Sequence, residues 1–410
     1  MSYVITGVDV VDGTSGGLTA EQDVLVDGAR IAAVGRDLSA SRSVDGRGLT
    51  LLPGLFDCHV HVVNSGVDPA EALSKPFSTQ FYDAIDNLNR TVAAGITTIR
   101  DAGGADLGIR TAVDAGRING PRMRIAVQML SQTGGHNDHW TVSGGCSVSI
   151  GAQPHPGRPG PLVDGVDEMR RKVRELKRAG ADVIKICASG GVVSPRDEPQ
   201  HPQFRPDELA ECVAEAAATG TAVMAHAHSA AGIASAVEAG VRSVEHGVFL
   251  DEPTAELMAE RGTWLVPTLS APLSVVEAYD RGVPFPPAVV RKAREVAAQH
   301  ERSFRLAHSM GIRIAMGSDS GVGPHGSNLR ELELMERYGM KPSEVLVSAT
   351  SSSAELLGVS RDLGTVEDGK LADFVLVEGT PYRFADLHRR IRAVFKEGRQ
   401  VHGAPLPARP

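Results

Sequence analysis

Two histidine pairs, each split by a single residue, mark where chemistry can occur: His59 and His61 in DCHVHVV, and His226 and His228 in VMAHAHS. Side chains alternate between the two faces of a β-strand, so the members of each pair point the same way. Two imidazoles on one strand face can chelate one cation. His246 closes the run VRSVEHG and Asp319 closes IAMGSDS, each at the end of a strand-like stretch. Lys185 lies inside DVIKICASGG, where an amine turned inward costs heavily in desolvation unless it is paired or modified. Carboxylation by CO2 is one such modification, and the carbamate offers two anionic oxygens able to bridge cations. Each group alone has a plain structural explanation, as a satisfied strand-end histidine or an outward lysine whose stem covers apolar surface. Several such groups converging on one rim are harder to explain that way, and imidazole, carbamate and carboxylate together suit zinc and similar divalent ions.

For these residues to meet, they must stand at the same end of a parallel sheet. Eight stretches read as strands: LFDCHVHVV, GITTIRDAG, PRMRIAVQ, ADVIKICAS, TAVMAHAHS, VRSVEHG, TWLVPTL and IRIAMGSDS. Among the segments between them, VDEMRRKVRELKRAG, PDELAECVAEAAATG and AAGIASAVEAG are amphipathic and close on glycine, a helix-end signal. Eight βα repeats in about 300 residues predict an α/β protein built as a closed (β/α)8 TIM barrel. A doubly wound open sheet is the alternative, weakened because no GxGxxG follows the first strand. Both ends of the chain differ in style. ITGVDVVDG, QDVLVDGARIAAVG and SVDGRGLTLL near the start, and GTVEDGKLADFVLVEG and IRAVFKEGRQV near the end, show near-alternation interrupted by tight turns. They predict a small β-sandwich domain from residues 1–54 and 356–410, with the barrel over 55–355.

Two long loops, 130–165 and 189–206, follow predicted strand ends, where barrel active sites sit. The first carries His136, Asn137, Asp138, His139 and Arg158; the second carries Arg196 and Arg205. The arginines are available to a substrate carboxylate but equally serve solubility. Arg100 and Asp101 end the second strand, either as a pair that orients ligands or as a structural ion pair. Cys58 and Cys187 sit beside candidate ligands with opposite strand parity, so they face the helices as core.

Bulk properties narrow the classes. With 410 residues and 42% hydrophobic content, a large core is available; aromatic content of 4%, net charge −8 and no basic run leave nucleic-acid binding without support. Four scattered cysteines, Cys58, Cys146, Cys187 and Cys212, contain no CxxC, so a reducing cytoplasm is expected rather than a disulfide framework. No secretory signal is seen, and no apolar run approaches the ~18 residues of a membrane span.

The ordered pattern resembles the amidohydrolase superfamily. HxH follows strand 1 (His59, His61), Lys follows strand 4 (Lys185), His follows strands 5 and 6 (His226, His246) and Asp follows strand 8 (Asp319). LLPGLFDCHVH and the β domain built from both termini are similar to that superfamily as well. RDAGGA, SQTGGH, IKICASGGV and the AHAH…EHG pairing resemble its prolidase-like branch, which includes Xaa-Pro dipeptidases, carboxypeptidases and ochratoxin-type amidases. Some relatives carry Tyr two residues after the strand-5 ligand, where this chain has His228.

The resemblance implies that His59, His61 and Asp319 hold one of two divalent cations, zinc foremost, and that His226 and His246 hold the other. Carboxylated Lys185 bridges them, with a hydroxide between. The choice of His226 over His228 comes from the family, because strand geometry puts both on one face. Asp319 then moves the proton from nucleophile to departing amine, and His228 and His136 are candidates to stabilise the oxyanion. The implied activity is hydrolysis of the amide bond of dipeptides or N-acyl amino acids by a homo-oligomer acting on small molecules. A lactonase or organophosphate or carbamate hydrolase using the same centre is a rival, as is an imidazolonepropionase-like cyclic amide hydrolase. Mononuclear deaminases of the superfamily lack the strand-4 lysine, and a catalytically dead scaffold would have lost ligands.

Overall fold

The computed structural model describes residues 2–66, 68, 71, 74–138, 140, 155–194 and 196–406; His139 and Cys146 lie outside them. In chain order the strands are β1 (Ser2–Val11), β2 (Leu18–Asp27), β3 (Arg30–Gly35), β4 (Ser43–Asp45), β5 (Leu49–Pro53), β6 (Leu55–Val60), β7 (Ile96–Asp101) and β8 (Arg122–Ile125). There follow β9 (Met129–Leu130), β10 (Val183–Cys187), β11 (Ala222–Ala227), β12 (Ser243–His246), β13 (Trp264–Val266), β14 (Phe374–Glu378), β15 (Ile391–Lys396) and β16 (Arg399–Gly403).

The middle of the chain forms the barrel that the eight-strand rhythm predicts. β6, β7 and β8 pair in parallel, and β9 to β13 do likewise in order. β8 and β9 are two parts of one kinked strand, broken at Val127, which sits at φ +67°. The first part bonds β7 and the second bonds β10. The eighth strand position is filled by the run 312–320, which bridges in parallel at Ile314 and Ser320. On one side Leu265 N donates to Arg313 O (2.9 Å) and Ala315 N to Leu265 O (3.0 Å). On the other, Cys58 N donates to Met316 O and Asp319 N to His59 O, both at 2.8 Å. These bonds close the circle between β13 and β6. Every residue of β6, β7 and β10 is buried, as expected for parallel strands covered on both faces.

Helices occupy the segments where amphipathic periodicity places them: Val166–Arg178, Pro206–Ala218 and Ala230–Ala239. The last ends on Gly240 at φ +95°, a left-handed cap that glycine adopts without Cβ strain. The longest, Pro287–Ser309, has 23 residues and buries Val289, Val296 and Phe304, together with the polar Lys292 and His300. Among the described residues no helix is long and apolar enough to cross a membrane.

Both ends of the chain join one eight-stranded sheet, ordered β16-β15-β14-β5-β1-β2-β3, with β4 beside β1. The sheet rolls over on itself. Tyr3 on β1 lies 6.1 Å (ring centroids) from Phe395 on β15. A flat sheet would hold those strands roughly 14 Å apart at ~4.8 Å per strand. Ile31 N donates to Lys370 O and Ala372 N to Ala29 O, which ties the β3 edge to the segment entering β14. Ile5, Val8, Val24, Val26, Leu51, Phe374 and Leu376 fill the enclosed core, separate from the barrel's own.

Candidate metal centre

His59 ends β6 and His61 follows it, and both rings are tied at Nδ1. His59 Nδ1 lies 2.7 Å from Glu245 Oε2, and His61 Nδ1 lies 2.7 Å from the carbonyl of Gly103. Those oxygens only accept, so each Nδ1 carries the hydrogen and each Nε2 presents its lone pair. Both Nε2 atoms face Asp319 Oδ1, at 3.6 and 3.4 Å. The three ligand atoms lie within 4.8 Å of one another. Burial pulls the His59 pKa down to about 4. At His61 the same burial is outweighed by Asp319, and the net shift is upward. Burial would raise the Asp319 carboxyl, but His59 and His61 hold it well below the usual range.

Glu245 is held ionised below this cluster. Burial alone would raise its pKa; the Arg100 guanidinium, 2.9 and 3.1 Å from its two oxygens, more than offsets that and holds it down to about 2. Arg100 therefore pairs with Glu245 rather than with its neighbour Asp101. Asp101 instead accepts the backbone N–H groups of Val62, Gly103 and Ala105. Glu245 was not apparent from strand parity, because it immediately precedes His246 and the two should face opposite ways. His246 sits at φ +73°, and Asp319 at φ +56°. A non-glycine residue in that region carries roughly 1–2 kcal/mol of strain. That turn brings Glu245 and His246 to the same interior.

The second cluster comprises His226, at the end of β11, with His228 and His246, whose ligand atoms also lie within 4.8 Å. His226 contacts His246 at 4.6 Å and His228 at 4.7 Å between ring centroids, and His228 stacks on His246 at 4.9 Å. His246 Nδ1 lies 2.6 Å from Thr268 Oγ1 and His226 Nε2 3.1 Å from the Gly190 carbonyl. Burial, reinforced by neighbouring cationic groups, pushes all three pKa values well below the ordinary histidine value. They are neutral imidazoles with lone pairs available. His59 stands 5.1 Å from His246 and links the two clusters.

Lys185 stands on β10 between them. Its charge depresses the pKa of His59 and Asp319 in one cluster and of His226 and His246 in the other. The side chain is 1% exposed, and Nζ has no hydrogen-bond partner. Burial lowers its pKa to about 8. Asp319 Oδ1 and His228 Nδ1 are likewise buried without a hydrogen bond. Unsatisfied buried polar atoms are costly, and a cation accepts lone pairs from carboxylate and imidazole alike. The donor set therefore fits divalent metal ions.

The long loops bring His136 to the same place. Its ring stacks on His226, 4.3 Å away and 15° from parallel. Arg158 is buried at the barrel mouth and donates to the Gly104 carbonyl and to Gln80 Oε1. Arg196 lies over the exposed Trp140 ring, and Arg205 stands at the start of the helix Pro206–Ala218. Cys58 packs among Trp264, Val266, Ala315 and Leu356, away from the ligands, as its parity requires. The Cys187 thiol is pushed up to about 12 by burial. Thr268, Asp197 and Lys292 join the functional network without any motif in the sequence to mark them.

The sequence matches the description "Amidohydrolase family" over residues 50–401. Ochratoxinase from Aspergillus niger is 35% identical over 365 residues, covering 84% of this chain and 73% of the relative. Among solved structures, a Xaa-Pro dipeptidase with methionine bound in its active site superposes with TM-score 0.90 at 34% identity, covering 98% of this chain and 99% of that one. A prolidase complexed with N-methylphosphonate-L-proline superposes with TM-score 0.88 at 34% identity, covering 98% and 100%.

Proposed function

The chain belongs to the amidohydrolase family, in its prolidase-like branch, and is a hydrolytic enzyme; from that premise we propose that it uses two divalent cations, zinc foremost, to cleave the amide bond of dipeptides or N-acyl amino acids. The observation that carries this reading is the unpartnered Lys185 amine, buried between two sets of ligand atoms. With a pKa of about 8, about a tenth of that amine is neutral at pH 7. A neutral amine attacks CO2, forms a new N–C bond and releases one proton to solvent, leaving a carbamate. Its anionic oxygens would be available to both clusters.

His59, His61 and Asp319 would hold one ion, His226 and His246 the other, and a carboxylated Lys185 would serve both. Bound there, the pair supplies a nucleophile from water near neutral pH and polarises the scissile carbonyl. Asp319 Oδ1 takes the proton of the attacking water and passes it to the departing amine. His228, with Nδ1 buried and uncommitted, stands beside His246 to stabilise the oxyanion of the tetrahedral species. His136, stacked on His226, contacts the substrate from the loop side.

The test is a hydrolysis screen of dipeptides and N-acyl amino acids beside a lactone panel, each with and without chelator. Chelator-sensitive turnover of the amides supports the reading. Turnover confined to lactones or phosphotriesters would replace it with the corresponding rival.

A further inference from the structure

His136 is wedged in a slot. One ring face lies on His226, and the ring lies so close to Gly191 that a Cβ there would collide with three of its atoms. At its edge, Nδ1 is 2.8 Å from Ser194 Oγ and 3.4 Å from Asp197 Oδ2. Ser194 Oγ in turn hydrogen-bonds Asp197 Oδ1. A serine hydroxyl has one hydrogen and an ionised carboxylate has none to give. Burial raises the Asp197 pKa, but His136, Ser194 and Lys292 outweigh it and keep the carboxylate ionised. Ser194 therefore donates to Asp197 and turns a lone pair toward Nδ1, so Nδ1 must carry the ring hydrogen. The basic nitrogen is Nε2, on the opposite edge, in a ring that keeps 13% exposure.

Asp197 is itself fixed. It accepts from Gly191 N at 3.0 Å and from Gln203 Nε2 at 3.3 Å. Gln203 Oε1 also accepts the backbone N–H of His136 at 3.0 Å. Lys292 on the helix Pro287–Ser309 is fully buried, and its Nζ donates to the carbonyls of Gly191 and Asp197, both at 2.8 Å, and of Ser194. A buried ammonium satisfied by three carbonyls of one loop anchors that loop to the scaffold.

We propose that Asp197, acting through Ser194, fixes His136 in its Nδ1–H form, so that Nε2 accepts a hydrogen bond from an N–H group of the substrate, while Lys292 holds the loop that makes this possible. This rests on the reading that the site binds aminoacyl or N-acyl compounds, whose α-ammonium or amide N–H is the complementary donor. Asp197 and Lys292 are positioning residues; His136 is the group that touches substrate.

Protein labelled with 15N at histidine tests the tautomer directly, with His136 assigned by its absence in His136→Gln. A protonated Nδ1 and bare Nε2 are expected in the wild type; a protonated Nε2 with bare Nδ1 overturns the proposal whatever the enzyme hydrolyses. Kinetically, Asp197→Asn lowers kcat/KM by about 10- to 100-fold with metal content unchanged. In the His136→Gln background the same substitution costs nothing further, because both act through one ring. Additive losses overturn the positioning role. If Asp197→Asn does not fold, Gly191→Ala, which evicts the ring from its slot, takes its place in the cycle. Failure to cleave any amide substrate would remove the functional reading yet leave the spectrum to decide the tautomer.

Discussion

Glu245 Oε2 stands 2.7 Å from His59 Nδ1, and this single contact sets which nitrogen of His59 faces Asp319 and the candidate metal centre. The carboxylate is anchored by Arg100, so the imidazole is oriented by a fixed charge rather than by a mobile one. Glu245→Gln keeps the shape and removes the charge. It is expected to weaken metal affinity about 10- to 100-fold, read from competition with a chromophoric chelator. Wild-type affinity in that variant would show that the contact is only structural.

Lys185→Met separates the amine's cost to folding from its use. The substitution removes a buried amine without a partner, so the metal-free protein should keep or raise its melting temperature. The same variant should lose its full metal complement and nearly all hydrolysis. Full activity and metal content in Lys185→Met would sink the carbamate bridge.

Elemental analysis of the purified enzyme should return about two divalent ions per chain, given two groups of side chains that could each hold an ion and the unpartnered Lys185 amine beside them. Removing them with chelator should abolish turnover and lower the melting temperature, because the ions bind only the folded chain. Zinc added back should restore both. Active protein free of metal would reject the mechanism outright.

Glu331 predicts a pH effect away from the histidine clusters. It is fully buried, accepts the backbone N–H groups of Leu269 (2.6 Å) and Ser270 (2.9 Å), and burial raises its pKa to about 8. Between its ordinary value and about 8, the folded protein holds a proton that the unfolded chain has released. Its contribution to stability is therefore complete at the acid end and is lost as pH rises through that window. The melting temperature of the wild type should fall from pH 5 to pH 8 relative to that of Glu331→Gln. Parallel curves for the two proteins would contradict the buried-acid assignment.

Much of the candidate centre was legible because the clustered side chains stand at barrel strand ends, where two-residue alternation makes His59 with His61 and His226 with His228 readable as pairs. The terminal sheet was legible for a similar reason, since tight turns such as the one at Gly28, φ +59°, punctuate its strands. Glu245 was not, because the positive φ of His246 breaks the alternation at that point. Its partner Arg100 is 145 residues away, and the neighbouring Asp101 offered a nearer but incorrect partner. Asp197 and Lys292 are 95 residues apart, one in a loop and one on a helix, and no local pattern joins them.

The rolled sheet at the chain ends has a consequence in time as well as in space. Thr50 Oγ1 donates to the carbonyl of Gly379 across 329 residues. At 5–20 residues per second, roughly 15 to 65 s of synthesis separate the two halves of that contact. Throughout that interval β5 has β1 beside it but lacks β14 on its other edge. Until β14 is made, that edge of β5 is without its native partner strand, so the sheet cannot be completed from the N-terminal strands alone.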